Sequence, residues 1–150
     1  MIPDGLLDPA LRLVAAVVAG GVVGLNRDLY GKPTGVRAHA LVALGAALFV
    51  MASTDLGIAG SDGNVVSRVI QGVVGGIGFL GAGVILRGGQ RIFHVATAAS
   101  IWVTAALGVA CGIGAWRLTG LAVLAVVLIL VIGGKIDHAL YGKLGKEVYK

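Results

Sequence analysis

Five apolar runs dominate the chain, at about 9–25, 38–53, 65–86, 95–111 and 116–132, with short polar segments between them. A helix needs about 20 mostly apolar residues to cross a bilayer, with a lower limit near 17. The third run is the longest, at about 22 residues, or about 33 Å at the helical rise of 1.5 Å per residue. None of the runs alternates polar and apolar positions as barrel strands do. Backbone groups surrounded by lipid must find hydrogen bonds within their own segment, which leaves helices. The pattern predicts an all-α integral membrane protein with five transmembrane helices, forming one transmembrane domain over residues 1–150.

Composition agrees and narrows the class. The 150 residues are 57% hydrophobic and only 13% charged, with a mean hydropathy of +0.97. Soluble domains carry about 25% charged residues. The aliphatic content is too high for a disordered chain. The 26 glycines follow no collagen period. Residues 1–8 hold no basic cluster, so a cleaved signal peptide is not expected. Cys111 is the single cysteine and reads as a small buried hydrophobe.

Charge then sets the expected orientation. Arg27, Lys32 and Arg37 follow the first span, Arg87 and Arg91 follow the third, and Lys135, Lys143, Lys146 and Lys150 follow the fifth. The opposite side has Arg12, Arg68 and Arg117. Basic loops stay cytoplasmic, so the N-terminus is expected outside and the C-terminus inside. The net charge of +5 is this topology signal. No basic patch is interleaved with stacking aromatics, so nucleic acid is not an expected partner. Asp4, Asp8, Asp55 and Asp62 gather on the outer side and read as solvated loop residues.

The glycines carry the next signal. Gly76-Ile77-Gly78-Phe79-Leu80-Gly81 matches the dinucleotide pattern G-x-G-x-x-G. That pattern needs a preceding strand and a ribose-binding acid about 20 residues on. Here the flanks are of membrane length, and the next acid is Asp137. Helix packing is the better reading. Gly72 and Gly76 are four residues apart, Gln71, Gly75 and Gly78 lie on an adjoining face, and Gly20 and Gly24 repeat the spacing in the first span. Small residues let helix backbones approach in lipid. The first and third spans are therefore expected to cross closely, within one chain or across a homo-oligomer, with a dimer favoured.

Polar groups at membrane depth are few. Arg12 and Arg68 sit near helix ends, where arginines snorkel to the interface. Gln71 must face protein or water. Thr97, Ser100 and Thr104 form one stripe on the fourth span, suited to contact between helices. No Asp or Glu falls at the centre of a span, whereas proton relays and cation paths are usually built on such acids. No carboxylate cage for magnesium is present. The loop 26–37 offers Asn26 at the rim and an ion-pair network of Arg27, Asp28 and Arg37, with a turn at Lys32-Pro33-Thr34-Gly35. His39, His94 and His138 lack metal-ligand spacing. Neither metal nor cofactor is expected. No nucleophile–histidine–acid set or carboxylate pair stands out, so the chain does not read as an enzyme.

These residues also resemble a known family. Gly24-Leu25-Asn26-Arg27-Asp28, Gly31-Lys32-Pro33-Thr34-Gly35-Val36-Arg37 and Leu41-Val42-Ala43-Leu44-Gly45 are similar to the first signature of the MgtC/SapB family. Residues 71–85 resemble its second, and Thr97-Ala98-Ala99-Ser100-Ile101-Trp102 its third. The resemblance implies a five-span protein of the bacterial inner membrane, linked to growth in low magnesium and to survival inside macrophages. The family's namesake is described as restraining the proton-driven ATP synthase rather than carrying magnesium. Asn26 stands where the family often has an acid, and Phe93-His94-Val95-Ala96 where it often has Arg-Gly-Leu-Thr. A short basic tail replaces the C-terminal soluble domain expected of many members. Two functions follow as expectations: a non-enzymatic regulator that grips a membrane partner through its glycine faces, or a small transporter or channel for magnesium, protons or another solute. The latter would run its path past Arg68, Gln71, Thr97, Ser100 and Thr104.

Overall fold

The computed structural model describes residues 4–55, 64–88 and 91–144. Asp62, Lys146 and Lys150 lie outside these residues, as do the side chains of Asp4, Asp55, Arg87, Arg91, His138 and Lys143. Five helices carry the fold: α1 (Asp4–Leu29), α2 (Val36–Asp55), α3 (Asn64–Val84), α4 (Val95–Ile113) and α5 (Trp116–Leu144). Each contains a stretch long and apolar enough to cross a membrane.

The boundaries depart from the apolar runs in ways that local chemistry explains. Helix α1 starts before Pro9, which lies in its second turn. A proline there gives up one hydrogen bond near an end where backbone N–H groups are unpaired anyway. Helix α5 runs past Ile132 to Leu144 because Lys135, Ile136, Asp137 and His138 continue it beyond the apolar stretch. Helix α3 ends at Val84, short of the expected 86. The expected plain loop after it is a hairpin of β1 (Leu86–Gly88) and β2 (Arg91–Phe93), antiparallel, with Leu86 opposite Phe93 and Gly88 opposite Arg91. In the sequence, the Gly88-Gly89 pair is a turn signal.

Helix ends are closed by one device used twice. At the end of α1, the Lys32 amide donates to the Arg27 carbonyl (3.0 Å) and the Gly31 amide to Asp28 (3.1 Å). At the end of α4, Ala115 donates to Ala110 and Gly114 to Cys111, each at 2.9 Å. Gly31 and Gly114 hold the left-handed position that this cap requires, at φ 59° and 81°.

Helix α4 is the hub. It packs against α1, α2, α3 and α5, and α1 and α2 pack most extensively on each other. One core cluster joins Ala16, Ala19 and Val23 of α1 to Ala43 and Ala47 of α2 and to Leu107 and Cys111 of α4. A second, smaller cluster joins Ala46, Ile77, Ile101 and Ala105. Ile77 is the one buried hydrophobe of α3, and Phe79 on that helix is 81% exposed. Large apolar side chains cover the outside, among them Val18, Leu41, Phe49, Leu121 and Ile129. Such a surface suits lipid rather than water, and the chain is a multi-pass membrane protein.

Candidate functional site

The tight centre of the bundle is built on glycines. A Cβ at Gly20 would fall 2.5 Å from the His39 carbonyl oxygen, and one at Gly24 would fall 2.6 Å from the Val36 Cα. Gly108 of α4 abuts the Ala43 carbonyl of α2, and Gly112, one turn on, leaves 2.9 Å between its would-be Cβ and the Ala47 oxygen. The glycine pair of α1 therefore meets α2, not α3. The reason is the short loop 30–35, which brings the first turns of α2 directly against the last turns of α1. In α3, Gly72, Gly75, Gly76 and Gly78 meet nothing within 4 Å. They are exposed, and Gly72 and Gly76 line an open apolar groove of about 620 Å³ with Gly45, Phe49 and Ile77.

At the end carrying the α1–α2 loop, the small residues let polar side chains meet inside the bundle. Arg27, near the end of α1, is only 6% exposed. Its Nη2 donates to the Thr97 hydroxyl in the first turn of α4. His39 of α2 is fully buried. Its Nδ1 lies 3.1 Å from the Gly35 carbonyl and its Nε2 3.1 Å from the Ser100 hydroxyl. Ser100 also lies 2.8 Å from the Thr97 carbonyl, and Thr104 donates to the Ser100 carbonyl at 2.8 Å. Thr97, Ser100 and Thr104 are all buried.

Proton counting gives this cluster a choice. The Gly35 carbonyl only accepts, so Nδ1 of His39 carries a proton. In a neutral ring Nε2 then accepts, and Ser100 must donate to it. The single Ser100 proton is then lost to the Thr97 carbonyl. A doubly protonated ring reverses the assignment: Nε2 donates, and Ser100 serves Thr97. Two hydrogen-bond patterns thus fit the same heavy-atom positions and differ by one proton.

The expected ion-pair network of Arg27, Asp28 and Arg37 does not form. Arg27 turns inward to α4, whereas Asp28 and Arg37 are exposed. The Asp28 carboxylate accepts the Val36 amide hydrogen at 2.9 Å. It thereby caps the positive end of α2, where a carboxylate is favoured. Gly35 has no side chain because a Cβ there would overlap the Asp28 carboxylate. Asn26 is half-buried beside this loop. Arg68 and Gln71 are exposed on α3, so they do not share the buried surroundings of Thr97, Ser100 and Thr104. Arg12, at the other end, does more than snorkel. It pairs with Asp8 at 2.8 Å and donates to the Gly112 carbonyl at 2.9 Å, tying α1 to the end of α4.

Sequence reasoning missed His39 as the polar centre and overlooked Gly108 and Gly112. Both had a signal. A histidine within an apolar run needs a polar partner from another helix, and residues 108 and 112 repeat the four-residue glycine spacing.

Comparison with known proteins places this architecture. SrpB of Synechococcus elongatus is 45% identical over an alignment of 130 positions that covers 78% of this chain and 70% of that protein. YhiD of Escherichia coli K12, whose given name proposes a magnesium transporter, is 42% identical over 112 residues, 72% of this chain and 52% of that one. The MgtC protein of Salmonella typhimurium LT2 is 39% identical over 107 residues, 71% of this chain and 44% of its own length. The matched region thus spans about half or less of YhiD and MgtC. No solved structure matches the chain. Residues 13–139 match the MgtC family, and with these relatives the conclusion is plain: the chain belongs to the MgtC family.

Proposed function

We propose that this chain is a non-enzymatic regulator in the bacterial inner membrane, linked to low-magnesium stress, with its N-terminus outside. It acts by holding a membrane partner, such as the membrane sector of the proton-driven ATP synthase or a second copy of itself, on the open face of α3. One observation carries this reading. Gly20, Gly24, Gly108 and Gly112 are closed against neighbouring helices, whereas the glycines Gly72, Gly75, Gly76 and Gly78, clustered within two turns of α3, meet nothing within 4 Å. Such a face admits a partner helix at close range without a hydrophobic drive, which lipid does not supply.

The test is Gly76→Leu in membranes. Self-association and capture of the synthase sector should fall at least about tenfold, equivalent to about 1.4 kcal/mol. Insertion and unfolding should match the parent. Survival of both associations sinks the reading.

A second reading, transport, has its own observation in favour. Arg27, Thr97, Ser100, His39 and Thr104 form a buried polar file that enters the bundle from one end. YhiD's name points the same way. Magnesium and proton flux in liposomes holding only this protein separates the two. Flux that vanishes in Arg27→Gln makes it a transporter, and no flux from folded protein leaves the regulator.

A further inference from the structure

Arg27 is a buried cation with too few partners. It is 6% exposed, and among the described residues it forms no ion pair. A guanidinium has five N–H donors. Here Nη2 serves the Thr97 hydroxyl, while Nε is buried with no acceptor. The nearest carboxylate in sequence, Asp28, is exposed and accepts the Val36 amide hydrogen, with no ion pair to Arg27. Removing a charge from water costs several kcal/mol even after relaxation unless an opposite charge and hydrogen bonds replace the water. Among the described residues, no group supplies that opposite charge.

The groups around Arg27 add to the deficit. Thr97 lies in the first turn of α4, a helix of 19 residues. The start of a helix carries a partial positive charge of about half a unit; here the Thr97 and Ala98 amides already donate to the His94 carbonyl at 3.0 Å, so the charge is what the start supplies. The Thr97 hydroxyl accepts from Arg27, which leaves its own proton to donate. Lys32 on the adjoining loop and Arg37 in the first turn of α2 are exposed and raise the local positive potential. A guanidinium, a hydroxyl proton and a helix start thus converge, and an acceptor-only group of negative charge is what completes them. Planar forks suit tetrahedral oxyanions, which take two parallel N–H bonds. Arg27 is two residues from the end of α1, and Leu29, Tyr30 and Gly31 beyond it are exposed.

We propose that Arg27 and the first turn of α4 form a binding site for a phosphate-class oxyanion. Two sources offer that chemistry at a membrane surface: the headgroup of an anionic phospholipid and dissolved inorganic phosphate. This site does not depend on the α3 face, so it stands or falls separately from partner capture.

The experiment uses the full chain in nanodiscs, in two arms. In the first, the discs are phosphatidylcholine and inorganic phosphate is titrated at constant ionic strength, with labelled phosphate as the probe. In the second, the discs contain phosphatidylglycerol without phosphate, and retained lipids are counted by native mass spectrometry. The parent should bind saturably in one arm, which also names the source. Arg27→Gln should weaken that binding at least about tenfold, and Arg27→Lys, which keeps the charge but loses the fork, several-fold. Arg37→Gln removes a charge from the neighbouring first turn of α2 and should change it less than about twofold. If Arg27→Gln does not fold, Arg27→Lys against Arg37→Gln gives the same contrast. Saturable binding absent from both arms overturns the site, as does equal loss in the Arg37 and Arg27 variants.

Discussion

Helices α1 and α3 carry the same small-residue spacing and use it oppositely. Gly20 and Gly24 of α1 are closed by the backbone of α2, whereas Gly72 and Gly76 of α3 face open space. A glycine pair states only that two backbones are able to approach. Which backbone arrives depends on connection length and on what the remaining faces bury. The loop after α1 is short and ends in a glycine cap, so α2 folds back at once. Helix α3 instead buries Ile77 against α2 and α4 and leaves Gly72 and Gly76 beside it on an open groove. One motif thus builds a core, and its copy leaves a vacancy.

The largest test of that contrast lies on the closed side. Gly108→Leu would drive a side chain into the Ala43 carbonyl, which is main chain and has no rotamer to yield. Overpacking typically costs 1–3 kcal/mol and sometimes more. We expect about 3 kcal/mol or greater, seen as loss of folded protein during denaturant titration in detergent. Gly76→Leu in the same assay should leave the fold intact. Equal damage by both would erase the difference between the two faces.

A smaller effect is expected at Gly35. An alanine Cβ there displaces the Asp28 carboxylate, a movable group, so the fold survives. What is lost is the cap on α2, about 1 kcal/mol. Asp28→Ala should lose a similar amount, and the double variant little more than either alone. Additive losses in that cycle would mean the two residues act separately.

Of similar size is the effect of Ser100→Ala. The substitution deprives His39 Nε2 of its partner in a fully buried setting. Hydrogen bonds between membrane helices average about 0.6 kcal/mol in mutant cycles, and an unsatisfied buried group adds to that. The expected loss is about 1 kcal/mol, with a changed His39 imidazole signal in NMR because the ring must now satisfy Nε2 otherwise. An unchanged signal would mean that Ser100 serves only the Thr97 carbonyl.

The five spans were legible because lipid demands long apolar runs, a requirement that each run meets by itself. Thr97, Ser100 and Thr104 were legible as a stripe because helical spacing is also local. The partners of that stripe were not. Arg27 reads in sequence as one more basic loop residue, since nothing local shows that it turns inward to α4. His39 reads in sequence as one of three histidines without metal-ligand spacing, whereas its side-chain partner, Ser100, lies on another helix 61 residues on. The glycines show the same limit: their spacing was visible, but the helix each pair would meet was a question about the whole bundle.

The smallest effect is also the sharpest, because it reverses sign between the two helices. Gly→Ala within a helix gains about 1 kcal/mol of propensity when the methyl finds room. Gly75 of α3 meets nothing within 4 Å, so Gly75→Ala should leave the isolated chain as stable as before or more stable by up to about 1 kcal/mol. Gly20→Ala makes the same chemical change on α1. There the methyl meets the His39 carbonyl oxygen at 2.5 Å and the Ala43 Cβ at 2.9 Å. Those contacts outweigh the propensity gain, and the variant should be the less stable of the pair. Unfolding of both in detergent, side by side, reads the difference without any partner. If Gly75→Ala destabilises the isolated chain, the α3 face is already filled from within, and a partner has no vacancy to enter.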